Sequence, residues 1–403
     1  MSDTLQAIEW LNRPSGRSCR LMLDSGRAMP PSDSTRLLMN EMAIRPGESV
    51  LDLGAGSGAV GLAALLLGAG EVWFTEIDPD CEALIKANVQ RLRDDTGIEA
   101  PVHITIGNLF APVNAQRFDH ILVNPPSVPS PDESLAPAYR SGPEGRRFHD
   151  AIQSLAAYSL RDGGRLSFVQ GSLSNRPRSL ERLQALGYAC RVSESIRRPL
   201  RPHYPRDWLQ ALASRGEAEL LQVAGQWHET RCVIEASLPR AARTGVMQRL
   251  EQAGVPVRRL PHLNEARTVA MAAQERGVPE HEMIKCILLK DRRERFVLAC
   301  LAGDADLDPQ RVREVLPEFS RLSFSSPDEI TRVTGHVLGS VAPISLVESI
   351  PVVLDADLAA RSRVNISSGD PRLGLELDLS ALLQVLGPVA RFAPIRKASP
   401  TAA

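Results

Sequence analysis

Between Glu48 and Ser172, short runs of β-branched and aliphatic residues alternate with stretches of helix-spaced apolar residues. That alternation limits the chain to few folds. Strands joined through intervening helices return to the same edge of a sheet and lie parallel, so this stretch is expected to form an α/β sheet. The pattern predicts strands over 49–53, 71–77, 102–106, 120–123 and 165–169, with helices over 59–67, 79–92 and 148–160, the last stopped by Gly163-Gly164. Helical spacing returns at 178–186 and 207–213, and a hairpin of 219–223 with 230–237 closes the region. The sheet is therefore expected to be mostly parallel and antiparallel at one edge.

Around 239–243 the pattern restarts as α+β: helix over 244–253, extended chain over 255–259, helix over 265–275, then strands over 286–289 and 295–300. A chain of 403 residues also exceeds what one core usually organises. We therefore expect domains over 1–239 and 243–392, with 393–403, small, polar and proline-containing, as a disordered tail.

Composition removes several function classes. The 47 Lys and Arg balance 48 Asp and Glu, so no overall basic field marks a nucleic-acid binder, and any RNA contact must be a local patch such as Arg197, Arg198, Arg201 and Arg206. That group reads equally well as a solvated face. Six scattered cysteines give neither a disulfide framework nor a zinc site, and the histidines outside the motifs below show no ligand spacing, so no metal is expected. The longest apolar run, 59–69, is too short to span a bilayer, and no signal sequence opens the chain, so the protein is expected in the cytoplasm, away from membranes.

Two constellations carry chemistry. After the first strand, Asp52-Leu53-Gly54-Ala55-Gly56-Ser57-Gly58 feeds a helix, and such glycines let backbone approach a ligand at the carboxyl edge of the sheet. Glu76 ends the next strand, where a carboxylate reaches ribose hydroxyls, with Asp78 the competing candidate. The fourth strand runs into Asn124-Pro125-Pro126-Ser127, a rigid corner without proline N–H groups that is rich in acceptors. A plain helix entry and a plain strand-ending turn are the simpler readings of these two motifs.

At these residues the stretch from about Met22 to Leu238 resembles the class I S-adenosylmethionine-dependent methyltransferases, and within them the HemK-like group that includes release-factor glutamine methyltransferase. The resemblance implies a Rossmann-like sheet and S-adenosylmethionine as cofactor. It implies that Asp52, Gly54, Gly56 and Gly58 hold the amino-acid part, Glu76 the ribose and Asn108 the adenine edge, although the group usually has aspartate at the last position. Asn124 and the Pro125 carbonyl, with Pro126 stiffening the corner, would accept both hydrogens of an amide or exocyclic amine and aim its lone pair at the methyl group. Relatives carry an aromatic where this chain has Ser127, so either Tyr139, Phe110 or Tyr204 covers the target or the target is less planar.

The second constellation begins at Lys285, at the head of an apolar strand, in a chain with only Lys86, Lys285, Lys290 and Lys397 as lysines. Where arginine is the default cation, a compact ammonium suggests a particular role, although a solvated strand-edge lysine fits the position too. Further on, Gly339-Ser340-Val341-Ala342-Pro343 can point successive N–H groups at a carbonyl oxygen. With His262, 268–273, Gly303-Asp304, Thr334-Gly335 and Ser368-Gly369, the stretch 244–387 resembles the YbaK/ProX aminoacyl-tRNA deacylases. That resemblance makes Lys285 essential, lines the pocket with Gly339, Ser340 and Pro343, and implies tRNA or aminoacyl-tRNA as partner. Water, or a hydroxyl or thiol of the substrate, would attack the ester, and Cys286 need not be catalytic. The whole reads as an N-methyltransferase joined to a hydrolase of mischarged aminoacyl-tRNA; the alternative is a small-molecule or protein methyltransferase whose second domain only binds tRNA or an aminoacyl group.

Overall fold

The computed structural model describes residues 5–11, 18–24, 31–132, 135, 139–239, 243–262 and 264–397. Its contacts divide the chain into two units, Met1–Ala242 and Arg243–Ala403.

In the first unit the strands are β1 (Leu5–Leu11), β2 (Ser18–Asp24), β3 (Ser49–Leu53), β4 (Glu71–Glu76), β5 (Val102–Ile106), β6 (Phe118–Val123), β7 (Leu160–Gly171), β8 (Ala189–Val192), β9 (Ile196–Pro199), β10 (Leu221–Val223) and β11 (Gln226–Ser237). The helices are α1 (Asp33–Glu41), α2 (Ala59–Leu66), α3 (Cys81–Thr96), α4 (Arg147–Ser159), α5 (Arg176–Ala185) and α6 (Arg206–Ser214). β1 and β2 pair as a separate antiparallel hairpin. The large sheet runs β10-β11-β7-β6-β3-β4-β5. β3 pairs in parallel with both β4 and β6, and β6 with β7, whereas β11 is antiparallel to β7. The chain thus builds outward from β3 first to one side and then to the other. Strand order reverses there, and a reversal opens a crevice at the carboxyl ends of β3 and β6.

Burial explains the geometry of that crevice. Every residue of β3 and of α2 is buried, and α2 lies so close to the sheet that a Cβ on Gly61 would stand 2.3 Å from the Phe74 ring. Close helix packing fixes the turn between β3 and α2. One local expectation fails: α4 ends at Ser159 because Leu160 is already extended, and Gly163 and Gly164 lie inside β7. There Gly163, at φ +76°, donates its N–H to the Leu238 carbonyl just past the end of β11, while on its other side β7 pairs with β6 across an irregular register.

The second unit contains α7 (Gly245–Gln252), β12 (Arg258–Pro261), α8 (Val269–Arg276), β13 (Ile284–Lys290), β14 (Phe296–Ala302), α9 (Pro309–Val315), β15 (Ser323–Phe324), α10 (Pro327–Thr334), β16 (Val352–Asp355), β17 (Arg363–Asp370), β18 (Leu373–Asp378), α11 (Leu379–Leu386) and β19 (Ala390–Ala393). They form an antiparallel sheet β12-β18-β17 and a mixed sheet β15-β13-β14-β16-β19. Among the described residues a single parallel bridge, Met283 to Asn365, joins the two. α8 starts at Val269 rather than at 265 because Thr268 caps it, its hydroxyl accepting from the Met271 N–H at 3.2 Å. The expected tail is also corrected: Ala393 ends β19, Ile395 is buried with its N–H donated to Asp355, and the Lys397 N–H reaches the Asp306 carbonyl. Residues 398–403 lie outside the described residues. Among the described residues no helix is long and apolar enough to cross a membrane.

Candidate active sites

At the carboxyl end of β3 the chain needs left-handed backbone three times: Gly54, Gly56 and Gly58 have φ of +73°, +55° and +81°. A side chain would be strained at each. Around the Cα of Gly54 and of Gly56 no heavy atom lies within 4 Å of where a Cβ would stand, so these two residues border open space. The turn is held from three directions. Gly54 and Ala55 donate N–H groups to the Thr75 carbonyl, Asn88 of α3 donates its side-chain N–H to the Ser57 carbonyl at 2.9 Å, and Gly56 donates to Glu76 Oε2 at 2.8 Å. Glu76 Oε1 in turn accepts the Ile77 and Asp78 N–H groups, so its carboxylate is fixed at the lip with acceptor capacity to spare.

Asp52 lies beneath the turn, buried, its Oδ2 accepting the Gly61 N–H at 2.8 Å. Burial, assisted by the charge of Glu76 and opposed by the Gly61 N–H, raises its carboxyl from 3.8 to about 7. Asn108 is exposed after β5, followed by Leu109 in left-handed backbone at φ +45°.

At the end of β6, Asn124 is half-buried and its side-chain Nδ2 donates to Thr35 Oγ1 of α1 at 3.1 Å. Neither Thr35 nor Asn88 was among the residues picked out from the sequence. The signals were present: Ser32 and Thr35 stand at capping-box spacing before an apolar run, and Asn88 interrupts the apolar stripe of Leu84, Ile85 and Val89. Ser127 is buried. Of the aromatics expected to cover a target, Phe110 and Tyr204 are themselves enclosed, and Tyr139 is half-buried against His203 and Tyr204, its hydroxyl accepting from Arg201 at 3.0 Å. The arginine group is likewise divided. Arg198 pairs with the fully buried Glu229 and Arg201 serves Tyr139, leaving Arg197 and Arg206 exposed.

In the second unit Lys285 is half-buried on β13 opposite Leu301, and its ammonium has no ion-pair or hydrogen-bond partner among the described residues, whereas Lys290 is paired with Glu329. Two residues beyond the Met283–Asn365 bridge stand Lys285 on one strand and Ser367 on the other. Ser367 ties in the glycine loop, donating its hydroxyl to the Ser340 carbonyl at 2.8 Å while accepting the Gly369 N–H. On its other flank Gly339, at φ +89°, lies against Arg267, whose carbonyl would be 2.7 Å from an added Cβ. Ser340 and Pro343 are buried. His336, also buried, donates Nε2–H to the Ile344 carbonyl at 2.9 Å and so closes the loop from within. At the same junction Asn365 Oδ1 is buried with no hydrogen-bond partner. Cys286 and Cys300 face each other with sulfurs 3.5 Å apart, and burial with the neighbouring thiol pushes Cys286 well above its ordinary value, which disfavours the nucleophilic thiolate. His262 is held neutral, its pKa lowered to about 4 by burial and by Arg276, whose Nε donates to it. Among the described residues no cluster of His, Cys, Asp and Glu suits a metal ion.

A mostly parallel sheet with a glycine cradle and an acceptor corner at its switch point defines a Rossmann-like methyltransferase domain, here followed by a separate α+β domain built around a lysine and a rigid loop. Two family models match accordingly: residues 31–190 match the methyltransferase small domain, and residues 264–385 match the aminoacyl-tRNA editing domain. It is 29% identical over 178 residues to a protein of Methanocaldococcus jannaschii named for protein N5-glutamine methylation, a match spanning 42% of this chain and 85% of the relative. It is 35% identical to the release factor glutamine methyltransferase of Gloeobacter violaceus, across 30% of this chain and 45% of that one. The proline–tRNA ligase of Trichlorobacter lovleyi is 28% identical, across 36% of this chain and 23% of its own length. The chain therefore spans less than half of the last two relatives.

Proposed function

We propose that the protein carries two enzymes: an S-adenosylmethionine-dependent N-methyltransferase and an aminoacyl-tRNA deacylase. The observation that supports the first most strongly is the Asn124 side chain, whose N–H is bonded to Thr35 and whose oxygen is left for a ligand beside a proline corner. The residues of the crevice suit the cofactor. Open space at Gly54 and Gly56 admits a ligand close to the backbone, Asp52 supports the turn from beneath through the Gly61 N–H, and Glu76 retains lone pairs for ribose hydroxyls. When bound, the cofactor supplies an electrophilic methyl group whose positive charge already activates it. What this chain adds is position: Asn124 Oδ1 and the Pro125 carbonyl accept the two hydrogens of an amide or exocyclic amine, turning its lone pair away from them. As the new nitrogen–carbon bond forms and the sulfur–carbon bond breaks, one of those protons is released to water.

For the second enzyme, the unpartnered Lys285 ammonium and the loop from Gly339 to Pro343 support hydrolysis of an ester between an amino acid and a tRNA ribose. Water attacks the ester carbonyl, the carbon–oxygen bond to the ribose breaks, and the ribose oxygen takes up a proton. Purified protein incubated with methyl-labelled S-adenosylmethionine and separated fractions of protein, tRNA and metabolites tests the first activity; release of amino acid from a panel of mischarged tRNAs tests the second. Label in one fraction, lost with Asn124→Ala, and release lost with Lys285→Ala are expected. Label in none overturns the methyltransferase, and release indifferent to Lys285 makes the second domain a binding module.

A further inference from the structure

We infer that Asn365 is a specificity-determining residue of the second site, its side-chain oxygen receiving the α-ammonium of the amino acid whose ester is hydrolysed; the inference rests on the deacylase reading above. Paired residues of neighbouring strands, and residues two apart on one strand, project to the same face of a sheet. The bridge from Met283 to Asn365 therefore puts Lys285, Asn365 and Ser367 on one face. The bond from Ser367 to the Ser340 carbonyl turns that face toward the glycine loop. Asn365 is only 3% exposed, and its Oδ1 is buried without a hydrogen-bond partner. Native proteins leave few buried acceptors in that state, because each has lost its hydration and gained nothing in return.

The face carries two rows of side chains, two residues or about 7 Å apart along the strands. Lys285 and Ser367 form one row, continued on β18 by Gly374, where the Arg276 guanidinium occupies the space a Cβ would take. That row is cationic. Asn365 forms the other row, with Glu376 opposite it on β18. The acceptors nearby are engaged: Glu376 is held by Arg258 at 3.4 Å and by Arg363 at 3.8 Å, and the Ser367 hydroxyl donates to Ser340 and accepts from Gly369. Asn365 Oδ1 is not. An aminoacyl ester repeats this polarity, with a carbonyl oxygen that gains negative charge on attack and, one carbon away, an ammonium with N–H groups to give. When the carbonyl oxygen faces the Lys285 row, the ammonium falls toward Asn365. Its charge makes that hydrogen bond stronger than the one a neutral donor would form.

The test uses the full chain at about pH 6, where an α-amine keeps its proton. The substrates are a mischarged tRNA that the panel above shows to be hydrolysed and the deaminated form of the same ester, which carries an α-hydroxyl of similar size. The wild type is expected to favour the amino ester over the hydroxy ester roughly 10- to 100-fold in kcat/KM. Asn365→Leu should bring that ratio to within about twofold of one, mainly by slowing the amino ester. Asn365→Asp keeps an oxygen in that place and removes the N–H groups, so it should hold or widen the ratio. Should Asn365→Leu fail to fold, Asn365→Ala takes its place; the ratio compares two substrates on one protein and does not depend on the amount folded. A wild-type ratio of one, or a ratio unchanged in the leucine variant, overturns the inference. So does a ratio of one in the aspartate variant, which would mean that Asn365 donates there instead of accepting. In each of these cases release that is still lost with Lys285→Ala spares the deacylase, whereas release from no tRNA by the wild type removes the deacylase and this inference with it.

Discussion

The two candidate sites are built in opposite ways. The first is almost continuous in sequence: Asp52 to Gly61 supplies a turn, a buried acid and a helix start, and its partners Glu76 and Asn124 end the two strands flanking β3. The second is gathered from β13, the loop before Pro343 and the end of β17, which are held by Ser367, a strand bridge and the packing of Gly339 on Arg267 and of Gly369 on His336. A site made from the topological switch point of a parallel sheet needs little beyond the sheet itself. A site made from three segments depends on each tether.

That contrast can be broken most forcefully by separating the chemistries. Asn124→Ala should cost methyl transfer about a thousandfold with deacylation intact, and Lys285→Ala should do the reverse, with Lys285→Arg no better, because a planar guanidinium does not replace a compact ammonium. Loss of both activities in either variant would mean that the sites are coupled. Next come the glycines. An added methyl at Gly61 meets Phe74, and one at Gly339 meets Arg267 in left-handed backbone. Each alanine variant should lose about 3 kcal/mol, the upper end for overpacking, with Gly61→Ala lowering the melting of the first unit and Gly339→Ala that of the second, as read by calorimetry. A single shared shift would show that the units unfold together.

Asp52 sharpens the comparison through pH. Its carboxyl is raised in the folded chain, from 3.8 to about 7, so its protonated form stabilises the fold. That contribution is complete below about 4 and is lost as pH rises toward 7. Urea unfolding of the first unit should show roughly 2 kcal/mol less stability at pH 8 than at pH 5.5, and Asp52→Asn should flatten the difference. A slope unchanged in Asp52→Asn would assign the effect elsewhere. The smallest effect is expected at the surface: removing the exposed Arg197 and Arg206 together should weaken binding of tRNA less than tenfold, and only at low salt.

The first unit was legible because its signals are local. β3, β5 and the start of α2 fall where periodicity and the glycine turn put them, since Val50, Leu51 and Leu53 of the buried β3 and Val102, Ile104 and Ile106 of the half-buried β5 supply aliphatic runs of strand length. What stayed hidden was either weakly patterned or remote. β8 is exposed along its whole length and β9 is partly so, and both pair with β11 without an apolar code. Thr35 lies eighty-nine residues from Asn124, and no spacing rule connects them. The end of the chain looked frayed because small and polar residues dominate it, yet Ile395 is buried and the N–H groups there are bound by Asp355, a contact visible only in three dimensions. In the second unit Lys285 stood out by scarcity, whereas the tether from Ser367 to Ser340 could not be read from either segment alone.

The most direct measurement is titration calorimetry of S-adenosylhomocysteine into the purified protein and into Gly56→Val. One site per chain, with heat abolished when valine fills the open space at Gly56, is the predicted result. No heat with the native protein, or equal heat with the valine variant, would contradict a nucleoside site at the carboxyl end of β3.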